Sequence, residues 1–151
     1  MNLIVKKYGG TSVATATKIK NIAKKIVDES RSSKIVVVLS AMGKTTDQLV
    51  SLANKCSKNP DGRDYDLLVS SGEQISISLL SMAVKQLGKD SIAYTGWQAG
   101  IKTNNTHASA RITQIDTSRI KKSLKEGKIV IIAGFQGINS GSITTLGRGG
   151  S

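Results

Sequence analysis

Ile35-Val36-Val37-Val38-Leu39-Ser40-Ala41-Met42-Gly43 opens with five consecutive apolar residues, four of them β-branched, and closes on a small-residue turn. Unbroken apolarity of this length fits a strand covered on both faces, because a strand with one face in water alternates instead. Ile129-Val130-Ile131-Ile132-Ala133 reads the same way, and Leu3-Ile4-Val5, ending at Gly9-Gly10, reads as a third, shorter buried strand. Helical spacing fills the intervals. Ile19, Ile22, Ala23, Ile26 and Val27 recur on one face with lysines between them, behind a cap at Thr11 or Ser12 and up to Ser32-Ser33. Asp47 or a neighbouring Thr opens a second helix carrying Leu49, Val50, Leu52 and Ala53.

After the Asn59-Pro60-Asp61-Gly62 loop, a longer helix is expected from Tyr65 to Leu87. Gly72 either divides it or starts it after an extended Leu67-Leu68-Val69. Ser91–Thr95 is a further strand, Gly96–Ala108 a polar loop, and Ala110–Ile115 a half-exposed strand. Asp116-Thr117 caps a short helix that runs through Glu126 and stops at Gly127. Strands alternating with helices predict an α/β domain with a mostly parallel sheet.

Composition narrows the possibilities. At 151 residues the chain suits one domain, and with only 3% aromatic residues its core must be built from Ile, Val, Leu and Ala. No apolar run in the sequence reaches the roughly 20 residues that span a bilayer, and Met1–Lys7 is charged too early for a secretion signal. These features, with Cys56 as the single cysteine, point to the cytoplasm and to no membrane partner. One His and one Cys argue against structural zinc. The net charge of +12 admits a nucleic-acid binder. The lysines are nevertheless dispersed along helices (Lys18, Lys20, Lys24, Lys25, Lys121, Lys122, Lys125) with little aromatic interleaving for base stacking, so no specific nucleic-acid partner is expected.

In parallel α/β sheets, ligands bind beyond the carboxyl ends of the strands. That rule selects Lys7-Tyr8-Gly9-Gly10-Thr11-Ser12, Ser40-Ala41-Met42-Gly43, Ser70-Ser71-Gly72-Glu73 and Gly134-Phe135-Gln136-Gly137. In the first, glycines let backbone N–H groups approach an anion and Lys7 adds a full charge, which suits phosphate; a structural turn is the alternative. Ser40–Asp47 offers hydroxyls and amides for a phosphate or carboxylate, or simply caps a helix. Glu73 can meet a ligand ammonium group or merely complement a helix dipole. Thr144-Thr145-Leu146-Gly147-Arg148-Gly149-Gly150-Ser151 reads either as a glycine-rich, anion-binding loop, in which Arg148 suits bidentate capture of a carboxylate, or as a disordered Gly/Ser tail. His107 reads as a loop residue, Trp97 as a packing anchor, and Cys56 as an ordinary helix residue.

Five of these motifs, in order, resemble the aspartokinases, which are amino-acid kinases: Lys7–Ala14, Val38–Asp47, Ser71-Gly72-Glu73-Gln74, Gly134–Gly137 and Thr144–Ser151. The resemblance covers the whole chain. It implies the amino-acid-kinase fold, a three-layer α/β/α sandwich around a mostly parallel sheet, here truncated. It also implies that residues 1–151 are the N-terminal, aspartate-binding portion of a catalytic domain, without the nucleotide-binding half and the regulatory domains. The implied reaction is ATP-dependent phosphorylation of the side-chain carboxylate of L-aspartate to 4-phospho-L-aspartate, the first step towards lysine, threonine and methionine, with this portion inactive alone.

By matching position, Lys7 would stabilise the transferring phosphoryl group. Tyr8, Gly9, Gly10 and Ser40 would lie on the ATP side, and Thr46 and Glu73 would hold aspartate. Arg148 would clamp a substrate carboxylate, with Gly149, Gly150 and Ser151 lining the same pocket. Mg²⁺ would travel with ATP rather than in a protein cage, and the parent enzyme would be a homo-oligomer. Alternatives are another carboxylate kinase of the superfamily, acting on glutamate or acetylglutamate, and a non-catalytic basic module that binds nucleic acid.

Overall fold

The structure, a computed structural model, describes residues 1–147. Its centre is a four-stranded, all-parallel sheet in the order β1-β2-β6-β3, built from Asn2–Tyr8, Ser33–Leu39, Ile129–Ala133 and Ser91–Tyr94. The two strands read as doubly covered, β2 and β6, are the two inner ones. Every residue of β6 is buried, and so are Ile35, Val36, Val37 and Leu39 of β2. β1 departs from the expectation of a buried strand. It is longer than its apolar triplet and lies at the sheet edge, so it alternates, leaving Leu3 and Val5 57% and 64% exposed.

Two helices, α1 (Ala16–Glu29) and α4 (Ser71–Gln86), cover one face of this sheet. Ile19, Ile22, Ile26, Ile77, Leu80 and Val84 meet Ile35, Val37, Leu39, Ile129 and Ile131 there in the larger core cluster. The cap of α1 is Thr15, whose hydroxyl accepts from the Lys18 amide at 3.2 Å. Thr11 and Ser12 are used instead in a short 3-10 turn at Gly10–Val13. On the opposite face, α5 (Ser118–Lys125) packs Ile120 and Leu124 against Val36, Tyr94, Val130 and Ile132. The lysines of α1 and those of α5 therefore face away from the sheet on different sides of the molecule.

The helix expected from Tyr65 starts earlier and does not turn at Gly72. α3 (Gly62–Val69) and α4 follow one another through Ser70, which itself keeps helical dihedral angles; α2 (Thr45–Cys56) precedes them. Leu67-Leu68-Val69 is helical, not extended. By length and composition the combined Gly62–Gln86 stretch could cross a membrane, but half of its apolar window is buried inside the molecule and it carries Asp66 and Glu73, so it is a core helix here.

A second, smaller sheet was not foreseen. Its order is β5-β4-β7-β8, from Ile112–Ile115, Ile101–Thr103, Gln136–Asn139 and Ser142–Thr145. β4 lies inside the stretch expected to be loop. β7 and β8 form a hairpin whose two turn residues, Ser140 and Gly141, have φ of 46° and 80°, the backbone that a tight hairpin between right-twisted strands requires. Trp97, at 46% exposed, is not a buried anchor.

Leu80 has no exposed surface and lies where α4 meets both α1 and the sheet. Leu80→Ala should lower unfolding free energy by about 2–5 kcal/mol in urea titrations, the range for a buried leucine whose cavity closes only in part.

Candidate active site

Register decides which loops meet. Tyr8 pairs with Leu39, and Leu39 with Ala133, so β1, β2 and β6 end in one row. The chain continuing from each strand stays in contact with its neighbour: the Ser40 amide donates to the Tyr8 carbonyl at 3.1 Å and the Gly134 amide to the Leu39 carbonyl at 2.9 Å. The loops after β1 and β2 are then tied by the Gly43 amide donating to the Gly10 carbonyl at 2.9 Å. Gly10 is needed for that approach, since a Cβ there would stand 3.0 Å from the carbonyl oxygens of both Ala41 and Gly43.

α4 enters the same place. At Gly72 a Cβ would sit 2.8 Å from the Ala41 Cβ, so the first turn of α4 lies directly against the β2–α2 loop. Close packing, not a turn, is what Gly72 provides. Ser76 locks the contact, its hydroxyl donating to the Ser40 carbonyl at 2.7 Å.

Lys7, Gly10, Ser40, Thr46 and Glu73 all line one cavity of about 330 Å³, together with Asp47, Tyr65, Ala108, Phe135, Thr145 and others. Tyr8 and Gly9 are not among its walls. Strand alternation turns Tyr8 to the α1 side, where it packs on the larger core cluster. Arg148, Gly149, Gly150 and Ser151 lie outside the described residues.

Glu73 is the electrostatic focus. Its residue is 2% exposed and its Oε2 is buried without a hydrogen-bond partner. Burial pushes its pKa up to about 7, against opposing hydrogen bonds from its own amide and that of Ala41. A carboxylate left bare in a cavity that Lys7, Ser40 and Thr46 also line suits a ligand carrying both an ammonium group and an anionic group. Among the described residues no cluster of three or more His, Cys, Asp or Glu could hold a metal ion.

Two non-glycine residues with left-handed backbone, Ala108 (φ 62°) and Phe135 (φ 68°), also line this cavity. Strain of this kind collects at functional sites. Of the lining residues, Tyr65 and Ala108 carried no site signal in the sequence, whereas Thr145 belongs to the Thr144–Ser151 motif. The hairpin that delivers Thr145 is marked in the sequence by the Ser140-Gly141 pair between two short strands.

A profile of the Amino acid kinase family matches residues 2–151. The chain belongs to the amino acid kinase family. It is 56% identical over 153 aligned positions to Aspartokinase 2 of Bacillus subtilis (strain 168), covering 100% of this chain and 38% of that protein. It superposes on the crystal structure of aspartate kinase from Synechocystis with a TM-score of 0.81 and 45% identity, over 100% of this chain and 25% of that one. Escherichia coli aspartokinase III, solved in complex with aspartate and ADP, shares the fold at a TM-score of 0.84 and 23% identity, over 99% of this chain and 44% of that one. The chain thus spans less than two fifths of the length of the curated relatives it matches.

For this family member the raised pKa of Glu73 has a signed consequence. The native state binds the Glu73 proton more tightly than the unfolded chain does, so the stabilisation is complete below about pH 4.5 and is lost as pH rises through about 7. Glu73→Gln removes that loss. Relative to wild type the variant should gain about 3 kcal/mol between pH 4 and pH 8 in denaturant titrations. Gly72→Ala should cost about 1–3 kcal/mol in the same titrations, because its methyl group overlaps the Ala41 side chain.

Proposed function

We propose that this chain forms the amino-acid-binding portion of an ATP-dependent aspartate kinase, which transfers the γ-phosphoryl group of ATP to the side-chain carboxylate of L-aspartate. The observation that carries this reading is the buried, unpartnered Glu73 carboxylate in the cavity that Lys7 also lines. The identity to Aspartokinase 2 supports it. So does the chemistry. A substrate carboxylate is ionised at neutral pH, so no general base is needed; the barrier lies in bringing two anions together.

In this reading Glu73 takes the aspartate ammonium group and Thr46 a polar edge of the substrate. Lys7, with the loop amides around Gly9 and Gly10 and the Ser40 hydroxyl, faces the phosphates. Arg148 and the glycine-rich residues after it would complete the carboxylate clamp. ATP would bring Mg²⁺, which offsets phosphate charge. The product, 4-phospho-L-aspartate, would enter cytoplasmic synthesis of lysine, threonine and methionine. Glu73 also bears on the choice among carboxylate kinases: an N-acetylated substrate has no ammonium group to pair with it and would leave a buried charge unmatched.

L-Aspartate should bind the chain in calorimetric titrations, and Glu73→Gln should weaken it by about 2 kcal/mol or more, the usual loss when one partner of a buried charge pair is removed. Because Glu73 must be ionised to hold an ammonium group, affinity should be flat above pH 7 and fall about tenfold per pH unit below it. A preference for N-acetyl-L-glutamate over L-aspartate would overturn the assignment. In a coupled ADP-release assay the isolated chain should show little turnover, and normal turnover would refute the view that it is only a portion of the catalytic unit.

A further inference from the structure

Behind the cavity wall lies a second buried carboxylate. Asp66 of α3 has no exposed surface and is not a cavity wall itself. Its Oδ1 accepts from the Thr145 hydroxyl at 2.6 Å and the Ala108 amide at 3.0 Å, and its Oδ2 from the Thr145 amide at 3.1 Å. Oδ2 also stands 2.7 Å from Nδ1 of His107, the chain's only histidine, and since a carboxylate only accepts, it selects the tautomer with the proton on Nδ1.

These donors come from two segments distant in sequence, the loop after β4 and the end of β8. Ala108 and Thr145 are both cavity walls, and Ala108 is held in left-handed backbone that alanine rarely adopts. The Ala110 amide already fastens the loop to the Thr145 carbonyl at 2.9 Å. The two segments therefore hold together without Asp66. What Asp66 adds is their placement relative to the helix that carries Glu73, seven residues further along a nearly continuous helical path and so on the same face.

We propose that Asp66 and His107 are positioning residues for amino-acid binding, setting the Ala108 and Thr145 wall at a fixed distance from Glu73 without touching the ligand. This rests on the reading of the cavity as an amino-acid site. His107→Ala removes the Nδ1 donor, whereas His107→Asn can return an N–H towards Asp66. At a temperature where circular dichroism shows all three proteins fully folded, His107→Ala should bind L-aspartate about tenfold more weakly than wild type, and His107→Asn within about threefold. A role confined to the fold would lower the melting temperature and leave these affinities equal. His107→Ala binding within twofold of wild type, or His107→Asn losing as much as His107→Ala, overturns the proposal.

Should His107→Ala fail to fold, the wild-type chain decides. Saturation with L-aspartate should move the Ala108 and Thr145 amide resonances and the His107 Nδ1 resonance, and no movement refutes coupling. If wild type takes up no L-aspartate, the amino-acid reading itself fails. The same resonances are then followed with inorganic phosphate: movement in wild type supports a positioning role for whatever anion the cavity takes, and no movement overturns that as well.

Discussion

Everything at the site depends on three parallel strands ending level. Because Tyr8, Leu39 and Ala133 lie in one row, the loops that follow them leave the sheet side by side, and the amides of Ser40 and Gly134 are spent on keeping them there. A one-residue slip of β2 would turn Ile35, Val37 and Leu39 away from α1 and α4. The buried apolar face thus enforces the register, and the register brings Lys7, Gly10, Ser40 and Phe135 to one cavity. Function follows here from a packing constraint, with no disulfide and, among the described residues, no metal cluster to hold the loops.

Stability and function sit on different parts of this frame. The α1/α4 face is closely filled by aliphatic side chains. The cavity and the layer directly behind its wall, by contrast, gather features that are costly to bury or strained: an unpartnered carboxylate at Glu73, a wholly buried one at Asp66, and left-handed backbone at Ala108 and Phe135. Such features persist only where the surroundings over-determine them. Asp66 is the instructive case, because its acceptors are filled by donors from two other segments, so its burial is compensated. Glu73 has one oxygen left bare. The first therefore belongs to the architecture of the site and the second to its chemistry.

Much of this could be read from the residues. The unbroken runs Val36-Val37-Val38 and Val130-Ile131-Ile132 identified the inner strands because nothing in them tolerates water. Glu73 stood out as a carboxylate just after Gly72 in a segment expected at a strand end, although the segment joins two helices and the glycine serves close packing on Ala41 and not a turn. β1 was misjudged because an apolar triplet does not reveal whether its strand has one neighbour or two. Of the second sheet only β5 was legible, within the strand expected at Ala110–Ile115; β4, β7 and β8 are short and largely polar, and the Lys102–Ile138 pairing that joins β4 to the hairpin spans residues far apart in sequence. Asp66 and His107 are separated by 41 positions, and neither carries a local sign of the other. Long-range polar contacts are where a single sequence is least legible.

α4 is the element that belongs to both parts. Ile77, Leu80 and Val84 are set into the core, while Glu73 and Ser76, less than one and a half turns earlier on the same rigid helix, meet the cavity and the Ser40 carbonyl. The helix cannot shift in the core without moving the carboxylate, and the Gly72–Ala41 contact leaves no slack for it to slide along the β2–α2 loop. Aliphatic packing far from any charge therefore fixes where the unpartnered Glu73 oxygen points. The placement of Glu73 relative to Lys7 is, in this sense, a property of the hydrophobic core.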